Sequence, residues 1–176
     1  MKRVLGLLAL GALAPILQGV AASVLSVRWC PDLGLLLVVA IALCWRNAAG
    51  GVALAAVLGY ATDLLSGSLF GQHALLRVFA FGAARFGSRH LNLRGALPRA
   101  IFVALLTVAN ALLLGVTSNF FAAGTGAGLV PTGDLLPHAL MNALFAPLAV
   151  HGTERVVALL GDDDSSRRLL LIETGR

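Results

Sequence analysis

Residues 59–73 read GYATDLLSGSLFGQH, and their reading decides the fold: an aspartate, two serines and a histidine stand between long apolar runs, with Arg77 one turn further on. The composition around them sets the class. Hydrophobic residues make up 59% of the chain and charged residues 12%, with a mean hydropathy of +0.91, against roughly 25% charged in soluble domains. Such a chain is expected to be an all-α integral membrane protein, since a helix satisfies its own backbone in lipid. At 176 residues there is room for one domain. The pI near 10.6 does not point to nucleic acid, because the 13 Lys and Arg are scattered and form no basic stripe interleaved with stacking aromatics.

Six apolar stretches approach the roughly 20 residues needed for a crossing. They fall at about residues 4–27, 33–45, 48–66, 69–87, 100–122 and 135–160, which makes 1–160 a transmembrane domain and 161–176 a cytoplasmic tail. The second, only thirteen residues, is shorter than a full crossing and is expected to extend through Arg46 and Asn47 by snorkelling or to cross where the bilayer is thinned. Pro31, Pro98, Pro131 and Pro137 lie at or near the joints, while Pro15 and Pro147 fall inside spans. Charge offers an independent test, because Lys and Arg collect on the cytoplasmic side. With both termini inside, Lys2, Arg3, Arg46, Arg85, Arg89, Arg94, Arg99, Arg155, Arg167, Arg168 and Arg176 are all cytoplasmic, Arg28 alone is outside, and Arg77 lies within a span.

Asp63 is the most informative residue. A carboxylate inside a span costs roughly 2.5–3.5 kcal/mol on insertion scales. Gly51, Ala55, Gly59 and Gly67 share its face at every fourth position, a small-residue stripe that lets a second helix approach closely. Asp63 is therefore expected to face a helix, about 5 Å below the outer surface at a rise of about 1.5 Å per residue. His73 starts the next span at similar depth and Arg77 follows at i+4, so either is a partner across the Gly67-Ser68 turn. The favoured reading is a clasp locking two helices, with Ser66 and Gly71 at the turn. A pocket of Asp63, His73, His138 and Asn142 is the competing reading.

Other chemistry is poorly supported. Asp63, His73 and His138 have no local metal-binding spacing, and no metal or cofactor is expected. Gly124-Thr125-Gly126-Ala127-Gly128 has no strand before it and no acidic residue about 20 positions later, so it reads as a loop. Ser66-Gly67 lacks the setting of an activated serine. Cys30 and Cys44 form neither a disulfide framework nor a metal motif. An enzyme is not expected.

Along its whole length the chain resembles the rod shape-determining MreD family. The similarity rests on Pro31-Asp32-Leu33 opening a Leu-rich second span, and on Gly59-Tyr60-Ala61-Thr62-Asp63-Leu64-Leu65-Ser66 followed by Leu69-Phe70-Gly71-Gln72-His73-Ala74-Leu75. These fit a G-x-x-x-D-L-x-S stretch, a small turn and an L-x-G-x-x-A-L opening. The resemblance implies a fold like that of the substrate-binding S-components of energy-coupling-factor transporters. It also implies a non-enzymatic scaffold of the bacterial inner membrane that binds MreC. The surrounding elongation complex would contain RodA, a penicillin-binding transpeptidase and MreB, and would direct lateral peptidoglycan synthesis. Asp63, Gly59, Ser66 and Gly71 are the motif positions. The alternative function is the substrate-binding subunit of a vitamin-type transporter.

Overall fold

In lipid every backbone N–H and C=O must find a partner within its own segment, which favours helices wherever the chain is apolar for long enough. The computed structural model describes residues 2–24, 26–45, 47–66, 69–93, 95–121 and 132–159. Among them are six α-helices and no strand: α1 (Lys2–Val24), α2 (Leu33–Cys44), α3 (Ala48–Ser66), α4 (Gln72–His90), α5 (Ala96–Phe121) and α6 (Thr132–Leu159). A short 3-10 turn, Val27–Trp29, precedes α2. The expected Gly67-Ser68 turn, Arg46, Arg94, Pro131, the glycine-rich loop 124–128 and the 161–176 tail lie outside the described residues.

Among the described residues, three helices are long and apolar enough to cross a membrane: Ala48–Ser66, Ala96–Phe121 and the Gly133–Leu159 part of α6. Their outer faces stay apolar. On α6, Leu136, Leu140, Leu144 and Leu148 recur at every fourth position and are all exposed, as are Leu97, Ile101 and Leu105 on α5. Stripes of this size are rare on soluble proteins and suit contact with lipid.

The helix at the expected span 69–87 instead starts at Gln72 and ends at His90. Gly71, at φ +86°, turns the chain just before it, a left-handed conformation that glycine adopts without steric cost. At the other end Ser88, Arg89 and His90 continue the helix past the expected end at Gly87, since polarity does not stop a helix. Likewise α5 begins at Ala96, after Gly95 at φ +115°, with Pro98 in its first turn, where a missing N–H is tolerated. Pro137 lies inside α6, not at a joint.

The core is built on α2. Leu35 to Ala42 are buried on every face of the helix, packed by Leu7 of α1, Leu54, Ala55 and Leu58 of α3, Ala80, Phe81 and Ala84 of α4, Val103 and Leu106 of α5 and Ala146 of α6. At 12 residues α2 is about 18 Å long, well short of the roughly 30 Å of a hydrocarbon layer. Its ends must be satisfied by protein. Asp32 does so at the start, where its Oδ1 accepts from the Leu35 N–H at 2.9 Å. Arg85 does so at the other end, where Nη1 donates to the Ala42 carbonyl at 3.2 Å and to that of Trp45.

The small-residue stripe of α3 faces α4. Gly51 lies under the Phe81 ring, Ala55 is buried, and a Cβ on Gly59 would sit 2.5 Å from Ala74 Cα and from the His73 carbonyl oxygen. Backbone cannot step aside as a side-chain tip can. Gly59→Ala is expected to lower the stability of the detergent-solubilised protein by about 1–3 kcal/mol through overpacking. Gly82→Ala, on α4 with no neighbour within 4 Å of the added Cβ, should be neutral or stabilising by up to about 1 kcal/mol. Thermal unfolding of the two variants checks both expectations.

Candidate functional site

Helix α4 starts with N–H groups that have no partner within the helix, and their partial positive charge attracts an anion. Gly71 occupies its cap position and has no side chain to serve them. Asp63, fully buried near the end of α3, supplies the carboxylate. Its Oδ2 accepts from the Gly71 N–H at 3.0 Å and the Ala74 N–H at 3.3 Å, and its Oδ1 from the His73 N–H at 2.9 Å. The His73 ring joins through Nδ1, 2.8 Å from Oδ1. Asp63 therefore caps the next helix from outside it, and the close approach at Gly59 brings the two helices near enough for that reach.

Arg77 takes a different partner. Its Nη2 donates to both oxygens of Asp32, at 2.8 and 2.9 Å, with Arg77 4% and Asp32 15% exposed. Gly34 leaves room for the guanidinium, 3.2 Å from where a Cβ would stand. The pair is one node of a wider network. The Asp32 N–H donates to Asn142 Oδ1 at 2.7 Å, Asn142 Nδ2 donates to Thr107 Oγ1 at 3.1 Å, and the Thr107 hydroxyl donates to the Val103 carbonyl at 2.8 Å. One chain of bonds thus joins the cap of α2 to α4, α5 and α6. Burial works to raise the Asp32 carboxyl, but the Arg77 charge, the Leu35 N–H, the Arg77 hydrogen bonds and nearby His138 hold it below the usual carboxylate value.

A third polar link joins α4 to α5, where Gln72 Nε2 donates to Thr117 Oγ1 at 2.9 Å and Ser118 Oγ at 2.8 Å. Ser66 turns its hydroxyl back to the Thr62 carbonyl at 2.8 Å.

The four residues of the competing pocket fall into two separate networks. Asp63 and His73 meet at the α3–α4 turn, while Asn142 belongs to the Asp32 network, with His138 one turn before it on α6. A cavity of about 210 Å³ does lie between α1, α2, α3 and α4. Its polar lining is Gln18, Asp32, Thr62, Ser66, His73 and Arg77, so that of the four only His73 reaches it.

Asp32, Gln72, Arg85 and Thr107 were missed as site residues in the sequence. Asp32 carried a signal, since an aspartate directly before an apolar run is a helix-cap pattern. Gln72, Arg85 and Thr107 carried none. Asn142→Ala would leave the Asp32 N–H without its acceptor and take from Thr107 Oγ1 the donor it accepts from, at a fully buried position. It is expected to cost about 1–3 kcal/mol, read as a fall in melting temperature.

A family model described as rod shape-determining protein MreD matches residues 3–148. No curated protein and no solved structure matches the chain.

Proposed function

Because the chain belongs to the MreD family of rod shape-determining membrane proteins, we propose that it acts as a non-enzymatic scaffold in the bacterial inner membrane. It binds MreC and thereby helps organise RodA, a penicillin-binding transpeptidase and MreB for lateral peptidoglycan synthesis. In this reading the chain crosses the membrane six times with both termini in the cytoplasm, and α2 crosses as the protein-enclosed centre of the bundle.

The observation that carries the reading is where the buried polar groups are spent. Asp63 is engaged by a helix start, Asp32 by Arg77 and Leu35, and Asn142 by Asp32 and Thr107. These contacts tie helices together, as a scaffold requires. The apolar outer faces of α5 and α6 offer area for lipid or for a partner's membrane helix, where van der Waals packing drives association.

Affinity purification of the tagged protein from mildly solubilised membranes tests the proposal. MreC is expected in the eluate in comparable amount. Recovery of a coupling subunit and an ATPase in place of MreC would overturn the scaffold reading in favour of the vitamin-type transporter.

A further inference from the structure

At the end of the bundle where α4 finishes and α5 begins, a cleft of about 530 Å³ opens between Leu43, Ser88, Arg89, His90, the Leu91–Leu93 linker, Arg99 and Glu154. That volume falls within the roughly 300–1,000 Å³ of small-molecule sites. Two guanidinium groups face one carboxylate across it. Arg89 is exposed and makes no hydrogen bond or ion pair with any described residue. Arg99 is steadied by its Nε, which donates to the Leu93 carbonyl at 3.0 Å, and its Nη2 lies a loose 3.9 Å from Glu154. Both partners of that pair are open to water, so the attraction between them is weak. Helix α5 starts between Leu93 and Arg99 with no acidic residue in its first turn, which adds the positive end of its dipole.

The surface of α4 beside the cleft is apolar. Exposed Phe86 packs on His90 of the cleft wall, with ring centroids 4.2 Å apart, and exposed Phe79 lies two turns further along the same helix. A soluble anion has no use for such a track, whereas a lipid places an acyl chain on it.

We propose that this cleft binds the phosphate of an anionic membrane lipid, with Arg89 and Arg99 on the phosphate and an acyl chain along Phe86 and Phe79 of α4. The site is independent of which protein partner the scaffold holds. Basic pockets between membrane helices are suited to such headgroups, each cation contributing about a fivefold gain in affinity.

The test is thermal unfolding of the full-length protein in a neutral detergent, titrated with phosphatidylglycerol, phosphatidylcholine or inorganic phosphate. Phosphatidylglycerol alone should raise the melting temperature, and Arg89→Gln should shift its dose response about fivefold to higher lipid. Arg89 has no partner among the described residues to lose, so this variant should fold as the wild type does, with an unchanged melting temperature in detergent alone. Equal stabilisation by phosphatidylcholine, an equal shift with inorganic phosphate, or an unaltered dose response in Arg89→Gln would each overturn the proposal.

Discussion

Asp63→Ala is expected to produce the largest loss of folded protein of any single substitution at the α3–α4 turn. The change leaves the Gly71, His73 and Ala74 N–H groups without the buried carboxylate that accepts from them, and takes Asp63 away from the His73 ring. A lost helix cap costs about 0.5–2 kcal/mol and a buried unsatisfied donor about 1–3 kcal/mol. The terms overlap, so about 3–5 kcal/mol in total is the reasonable expectation, a large share of the roughly 5–15 kcal/mol that holds a typical domain folded. Asp63→Asn retains an oxygen in the cap position and asparagine is a good capping residue. It should lose no more than about half as much. Monodisperse yield in size-exclusion chromatography and the melting temperature report both effects. A stable, wild-type-like alanine variant would show that the carboxylate does not hold the hairpin.

Arg77→Met should be nearly as damaging for a different reason. It leaves the Asp32 carboxylate without its counter-charge, and breaking one side of a buried pair costs roughly 3–5 kcal/mol. The companion change makes the argument specific. Asp32→Asn removes the orphaned charge and still caps α2, so the double variant Asp32→Asn/Arg77→Met should recover most of the stability lost by Arg77→Met alone. Buried pairs replaced together are often close to neutral. Melting temperatures of the two singles and the double measure the coupling directly. A double variant no more stable than Arg77→Met would mean that the two side chains contribute separately.

The two networks differ in how visible they were in the amino-acid order. Asp63 and His73 are ten residues apart across a tight turn, and the stripe Gly51, Ala55, Gly59 pointed to the face they share. Periodicity and a short loop carry that much. Arg77 and Asp32 are 45 residues apart, and their meeting depends on α2 lying inside the bundle beside α4. Reasoning from depth alone left Asp63 open as a partner for Arg77, although the cap of α4 already uses its oxygens. The centrality of α2 was written in its composition, since an apolar run with no polar face is what a helix surrounded by protein looks like. Its shortness obscured that by inviting a comparison with ordinary spans. Helix ends were misplaced where Ser88, Arg89 and His90 extend α4 beyond the expected end at Gly87.

A scaffold of this kind depends on its shape more than on the charge of any one buried group. The Asp32–Arg77 pair tests that distinction, because it is the most charged feature of the interior and lines the cavity between α1 and α4. The decisive measurement is the length-to-width ratio of cells in which Asp32→Asn/Arg77→Met is the sole copy, at wild-type protein levels in the membrane. Rods of normal proportion are the expected result. Round cells containing a stably folded double variant would contradict the account, because the charges themselves would then be serving a ligand or a partner instead of the fold.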